Sequence, residues 1–512
     1  MPDASGFGVL HRLAALFAFV AGSLNVLAFA PIGWWPLQLL SVTVLSALLA
    51  QTDSVKRSAQ IGWMYGFGWL LFGTCWLYVS LHDYGELPAW MTVIAVAGLA
   101  LFLSGLMAAA AGFSAWLRQR WQISRAVHLL LILPPMFMLA EWTRAWIFTG
   151  FPWLSSGYAH NAAPLGGFAP LIGVYGIGLL SAVMAGALVL LPQKKSLITI
   201  PLTLLIAGAL LQRIDWTSPV GKPITVRLLQ ANIPQDLKFQ PDRARAILQK
   251  YQTMITATPA DLIATPETAL PLFYNQLPID FLPGLQTFAM QANSQLLIGV
   301  PTSDGPQRYA NSVIGLGAAA YRYDKHHLVP FGEFIPQGFR WFIDMMHMPL
   351  GDFTSGALQQ APLPVRDQWV LPNICYEDLF GEEIAAQLSG SAAQTTLLLN
   401  VSNIAWFGNS FALPQHLQIS QMRTLETGRP MLRATNTGMT AVIDPKGRVM
   451  QQLAPLTDGV LSTSVQGYRG TTPYIVLGNW AVLALGFLML LSAWRCSRKK
   501  VGGSEPNHLK TR

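Results

Sequence analysis

The chain has 512 residues, of which 52% are hydrophobic and only 11% charged, with a positive mean hydropathy and a formal net charge of +8. Globular proteins average about 25% charged residues, so this composition excludes an ordinary soluble protein and points to a membrane protein with something attached. The basic residues fall in short clusters between apolar runs and form no stripe interleaved with aromatics, which argues against a nucleic-acid partner.

From the N-terminus, apolar stretches occupy about 11–30, 31–50, 58–80, 89–115, 126–143, 164–191 and 196–212. Most approach the roughly 20 residues a bilayer crossing needs, so seven spans are expected. The second, opening at Trp34-Trp35-Pro36, joins the first tightly, and a re-entrant hairpin is open there. Ala28-Phe29-Ala30 resembles a signal-peptidase site, but the missing basic n-region favours a retained anchor. Lysine and arginine accumulate in short cytoplasmic loops. Here they sit at Arg12, Lys56-Arg57, Arg118 to Arg125 and Lys194-Lys195, while the alternate loops are poor in them. The N-terminus therefore reads as cytoplasmic, and the chain leaves the seventh span outside. A last apolar run at about 474–494, followed by Arg495, Arg498, Lys499 and Lys500, returns it. The expected division is a membrane domain 1–212, an extracytoplasmic domain 213–470, and a span with a basic cytoplasmic tail 471–512.

The polar middle alternates strand-like runs with helical patterns. The runs are 225–233, 261–266, 295–301, 312–316, 369–375, 395–401 and 439–443. Residues 241–257 begin with Pro241-Asp242 and carry Ala244, Ile247, Leu248, Tyr251 and Ile255 at helical spacing, a core-facing stripe. This order predicts an α/β sandwich layered with helices.

Three short stretches carry possible chemistry. Asp261 to Glu267 is an apolar strand stopped by Pro266 with a carboxylate after it; Tyr323 to Phe334 gathers Lys325, His326, His327 and Glu333; Leu371 to Asp378 ends a strand on Cys375, followed by Tyr376, Glu377 and Asp378. Each alone has a plain reading: a solvated glutamate, a charged loop with a local ion pair, and a free cysteine acting as a small buried hydrophobe. The three cysteines, Cys75, Cys375 and Cys496, have neither disulfide nor metal spacing, and no cofactor is expected. His416 reads as a structural hydrogen-bonder.

Glu, Lys and Cys at successive strand ends form the pattern of the nitrilase superfamily. With seven spans before and one after, with His327-Leu328-Val329-Pro330-Phe331-Gly332-Glu333-Phe334 and with Trp406-Phe407-Gly408, the whole chain resembles the apolipoprotein N-acyltransferase family. Thr149-Gly150-Phe151-Pro152-Trp153 and Asn436-Thr437-Gly438 also fit. The resemblance implies a multi-span helical membrane domain plus a nitrilase-like α-β-β-α sandwich, in a bacterial inner membrane with the catalytic domain periplasmic. It implies a ping-pong transfer of an acyl chain from a phospholipid, through a thioester on Cys375, to the α-amino group of a diacylglyceryl-cysteine apolipoprotein. Glu267 would be the base, and Lys325 with the backbone N–H of Tyr376 would face the oxyanion. Glu333 is expected to orient Lys325, Glu377 to support the triad, and Asn311 to shape the site. Either acid could instead serve only solubility.

Further expectations concern lipid. The apolar stretch 339–350, with Trp341 and Phe342, suits either a lipid-contacting arm or a buried core helix. Arg144, near Glu141, reads as an ion-pair partner, a head-group contact or a plain anchor, and Trp153 and Phe239 are further lipid-contact candidates. Two departures from the family pattern are Ile404 after Ser402-Asn403, and Phe239 where tryptophan is common. Alternative readings are a membrane-tethered amidase of the same superfamily and a transporter with a ligand-binding ectodomain.

Overall fold

The computed structural model describes residues 4–305, 308–335 and 353–501; Trp341, Phe342 and the rest of the apolar stretch around them lie outside the described residues. Each of the eight stretches expected as spans coincides with helix. Among the described residues four helices are long and apolar enough to cross a membrane: Ala89–Trp121, Arg125–Arg144, Pro164–Leu190 and Trp480–Arg498. Val55–Gly73 and Leu77–Tyr84 make a fifth if that bent pair is one span. Leu13–Ala28, Pro36–Ala50 and Lys195–Leu211 are apolar but shorter. A helix rises 1.5 Å per residue, so Pro36–Ala50 and Lys195–Leu211 reach at most about 25 Å against a hydrocarbon core of about 30 Å, whereas the first helix, Ala4–Asn25, has 22 residues and reaches about 33 Å.

After the seventh apolar helix the chain builds two sheets. The strands are β1 (Thr217–Pro219), β2 (Ile224–Gln230), β3 (Leu262–Ala264), β4 (Gln295–Ser303), β5 (Tyr309–Leu316), β6 (Tyr321–Asp324), β7 (Leu363–Val365), β8 (Gln368–Ile374), β9 (Leu397–Ser402), β10 (Met431–Thr435), β11 (Ala441–Ile443), β12 (Val449–Gln452), β13 (Gly459–Val465) and β14 (Tyr468–Gly470). Two six-stranded sheets run β13-β2-β3-β4-β5-β6 and β12-β11-β10-β9-β8-β7, and β1 pairs with β14. In each the central strands, β2-β3-β4 and β8-β9-β10, are parallel, and the outer pairings are antiparallel.

Side-chain alternation makes the layers. Side chains on a strand point alternately to opposite faces. Val226, Leu228, Leu262, Ala264 and Leu297 of one sheet meet Val370, Ile374, Leu397, Leu399, Val401, Leu432 and Ala434 of the other in one core. The intervening residues face outward. Leu229, Ile263, Leu296 and Ile298 pack with Ile247, Leu248, Tyr251, Ile255, Phe281 and Leu285 from helices Pro241–Thr256 and Phe281–Gln291. Leu371, Leu398 and Met431 pack with Ile384, Leu388 and Leu417 from helices Gly381–Ser389 and Ala412–Thr427. The result is an α-β-β-α sandwich, with the stripe expected on residues 241–257 buried in full.

Helix Ala412–Thr427 also seats the sandwich on the apolar helices. Gln415 Oε1 accepts from the indoles of Trp76 (3.1 Å) and Trp153 (2.7 Å), Gln418 Oε1 from Ala30 N (3.1 Å), and Glu426 Oε1 from Val174 N (2.9 Å).

Gly299 on β4 leaves room for the turn that follows β3. A Cβ there would stand 2.2 Å from Pro266 O and 3.0 Å from Glu267 Cα, both backbone atoms. Crowding of this kind costs about 1–3 kcal/mol. Gly299→Ala should lower the melting temperature of the detergent-solubilised protein by several degrees, whereas Gly284→Ala, in open space within helix Phe281–Gln291, should leave it unchanged or raise it slightly; equal melting of both variants would refute this packing constraint.

Candidate active site

Glu267, Lys325 and Cys375 each follow the carboxyl end of a strand, β3, β6 and β8, and the sandwich brings those ends together across the two sheets. Lys325 is 1% exposed and carries the centre of the cluster. Its Nζ lies 3.2 Å from Glu267 Oε1 and 2.9 Å from the Glu333 carboxylate. Asn311 Nδ2 donates to both acids, at 2.8 Å to Glu267 Oε1 and 2.7 Å to Glu333 Oε1, and its carbonyl accepts from Lys325 N. Asn403 N donates to the other oxygen of Glu267 at 2.8 Å, and Val329 N to Glu333 Oε2 at 2.8 Å. All four carboxylate oxygens are thus met by donors.

The electrostatics follow from this geometry. Burial alone would raise Glu267 and lower Lys325. The Lys325 ammonium, with the donors from Asn403 and Asn311, overcomes burial and holds Glu267 below the usual carboxylate range. The two carboxylates likewise overcome burial at Lys325 and hold it above the ordinary lysine value. For Cys375, burial pushes the thiol up and the Glu267 carboxylate adds to the push, against the pull of Lys325 and the Ser402 hydroxyl. The resting pair is therefore a neutral thiol beside an ionised carboxylate. A thiol in that state reacts by giving up its proton to an adjacent base as it attacks.

Cys375 sits at φ 52°, in the left-handed region, at the start of the short turn Cys375–Leu379. Holding a non-glycine residue there costs of order 1–3 kcal/mol and needs surrounding support. Glu377 supplies part of it. Its buried carboxylate accepts from Ile374 N (2.5 Å), His326 N (2.7 Å) and Tyr323 OH (3.1 Å), tying the cysteine turn to the lysine loop. Burial pushes the pKa of Glu377 up to about 7 against those donors. Tyr376 OH donates to Gly150 O at 2.7 Å, which fixes the same turn to the loop after helix Leu133–Arg144.

Other expected residues lie elsewhere. Arg144 and Trp153 are enclosed by protein instead of facing lipid: Arg144 Nη1 donates to Trp153 O at 2.8 Å, and the Trp153 indole is taken by Gln415. Arg144 does not bond to Glu141, whose Oε1 accepts from Ser156. Phe239 is half-buried, with the Lys238 ammonium 5.9 Å from its ring centre.

Two groups at the site were not anticipated. Lys238 is 2% exposed, donates to Glu267 O at 3.3 Å, and is pushed down by burial to about 7, with Glu267 and Cys375 opposing. Its signal was a lone charge between Leu237 and Phe239 just after β2, at the edge where Glu267 also lies. The Asn403 donor is a backbone N–H and has no residue-type signature.

Residues 21–187 match the family described as the apolipoprotein N-acyltransferase N-terminal domain, and residues 225–474 match carbon-nitrogen hydrolase. The chain is 48% identical over 503 residues to a protein from Ralstonia nicotianae named apolipoprotein N-acyltransferase, covering 96% of this chain and 95% of that one. It is 44% identical over 491 residues to the protein of that name from Nitrosomonas europaea, covering 94% and 96%. The Bordetella bronchiseptica protein of that name is 40% identical over 535 residues, covering 96% and 98%.

The sign of the thiol shift is testable. An adjacent anion disfavours the thiolate, so Glu267→Gln should move iodoacetamide alkylation of Cys375 to lower pH, and Lys325→Met, which removes a cation, should move it to higher pH. Shifts of the same sign in both variants would contradict the electrostatic reading.

Proposed function

The chain belongs to the apolipoprotein N-acyltransferase family, and on that premise we propose that it transfers an acyl chain from a phospholipid, by way of a Cys375 thioester, to the α-amino group of a diacylglyceryl-cysteine apolipoprotein. The observation that carries this reading is the buried Glu267–Lys325–Glu333 cluster beside a neutral, half-buried thiol, in a sandwich seated on apolar helices.

In the first half-reaction Cys375 Sγ attacks the ester carbonyl of the phospholipid while Glu267 takes the thiol proton. The oxyanion faces Lys325 Nζ and the N–H of Tyr376, which belongs to the first turn of a short helix, where N–H groups lack partners within the helix. Collapse breaks the ester C–O bond, Glu267 returns its proton to the leaving glycerol oxygen, and a lysophospholipid departs. In the second half the acceptor amine attacks the thioester carbonyl and gives its proton to Glu267, which passes it to the departing Sγ. An amide forms and the thiol is restored. Glu333 and Asn311 hold Lys325 and Glu267 in register throughout, and Glu377 holds the turn bearing Cys375.

Both substrates of this reaction are lipid-anchored, which gives a reason for joining such a sandwich to apolar helices. We assign residues 1–212 to the membrane base, 213–470 to a periplasmic catalytic domain, and 471–512 to a returning span and cytoplasmic tail in a bacterial inner membrane. The lysine and arginine distribution supports that orientation. Arg144 and Trp153 serve the seam between base and sandwich, and Phe239 remains the described candidate for a lipid contact.

Intact-protein mass spectrometry after mixing with phospholipid vesicles should detect an acyl adduct on Cys375. The adduct should be absent in Cys375→Ala and discharged by a diacylglyceryl-cysteine peptide; failure to form an adduct with any phospholipid would overturn the proposal.

A further inference from the structure

Behind the nucleophile lies a second charged cluster that the reaction above does not use. Asp378, His416 and Arg433 are all fully enclosed, and they come from the cysteine turn, helix Ala412–Thr427 and β10. Arg433 Nη1 lies 3.1 Å from Asp378 Oδ2, and Ser420 Oγ bonds to both. Arg433 Nη2 lies 3.1 Å from His416 Nδ1. A guanidinium only donates, so Nδ1 must accept and the ring proton must sit on Nε2. That nitrogen faces Asp378 Oδ1 at 2.9 Å and the backbone carbonyl of Cys375 at 3.3 Å. The same carbonyl accepts from Asn400 Nδ2 at 3.1 Å, whose amide is oriented by a second bond to Asn373 Oδ1 at 2.7 Å.

We propose that His416, fixed in one tautomer by Arg433 and Asp378, is a positioning residue that acts with Asn400 to hold the Cys375 carbonyl and so aims Sγ along the attack path. The inference rests on Cys375 being the nucleophile. Cys375 opens the short helix Cys375–Leu379 at φ 52°, where a non-glycine residue needs surrounding support, and two side-chain donors on its carbonyl add that restraint. The imidazole also stacks on Trp153, with ring centres 5.8 Å apart and an interplanar angle of 30°. The neighbouring Gln415 holds the Trp153 indole. The membrane-side loop therefore reaches the peptide group of Cys375 through one imidazole. Misplacing a reacting atom by about 1 Å can cost about 100-fold in rate, so the effect belongs in the acylation step and not in lipid binding.

The test compares His416→Gln, whose amide N–H can replace Nε2–H, with His416→Asn, whose shorter side chain cannot, in the full-length protein reconstituted with phospholipid. His416→Asn should lower the single-turnover rate of Cys375 acylation at least about tenfold, with the KM for phospholipid within about twofold and iodoacetamide alkylation slowed in parallel. His416→Gln should recover most of the rate. If His416→Asn fails to fold, Asn400→Ser removes the other donor and should show the same loss confined to acylation. Unchanged acylation in the folded variants, or equal loss with Gln and Asn, overturns the positioning role. An active Cys375→Ala protein would instead overturn the thioester reading on which it stands.

Discussion

Three charges buried together impose most of the constraints on this molecule. Lys325 has no route to water, and neither Glu267 nor Glu333 has much of one. Removing each ion from water costs several kcal/mol. A lysine–carboxylate contact near 3 Å returns about 5 kcal/mol at an effective dielectric of ~20. Two such contacts do not comfortably offset three desolvations, which is why the donors from Asn311, Asn403 and Val329 matter. Those donors come from β5, the segment after β9 and the lysine loop, so the cluster exists only when both sheets have closed on each other. The same arrangement favours an ionised Glu267 beside a neutral Cys375 thiol, which the proposed base-coupled attack requires.

The second constraint is where Cys375 is fastened. Cys375 ends a central parallel strand, yet its turn is tied by Tyr376 to Gly150 and by Glu377 to the lysine loop. Helix Ala412–Thr427, which covers the outer face of its sheet, bonds through Gln415 and Gln418 to residues of the apolar helices and their loops. His327 adds a further tie, with Nε2 2.8 Å from Thr149 O and Nδ1 2.8 Å from Glu383 Oε1. The sandwich is thus joined to the apolar helices through the turn that carries Cys375, the loop that follows Lys325, and helix Ala412–Thr427.

The parts of this architecture legible in the sequence were those set by periodicity and by strand ends. The apolar runs before Glu267 and Cys375 read as strands, and the stripe on 241–257 read as a core-facing helix, because burial there follows from the local pattern. The strands Tyr321–Asp324 and Met431–Thr435 were not anticipated. The first is short and polar, and the second buries Arg433, a charge that its partners Asp378, Ser420 and His416 make tolerable. Arg144 was expected near lipid because an arginine at the end of an apolar run normally reaches an interface. The loop carrying Trp153 folds back over it, and no one-dimensional pattern carries that information. Hydropathy likewise marked the apolar segments, and among the described residues four or five of them form helices that are long and apolar enough to cross a membrane by length and composition.

The central claim is that Lys325, Glu267 and Glu333 act as one unit upon Cys375. A double-mutant cycle on single-turnover acylation tests it most directly, using Lys325→Met, Glu333→Gln and the combined variant. If the carboxylate of Glu333 acts only by holding the ammonium, adding Glu333→Gln to Lys325→Met should cost no further rate, so the effects should be strongly non-additive, with a coupling of about 1 kcal/mol or more. Additive losses would mean that the two residues act independently and would contradict the account.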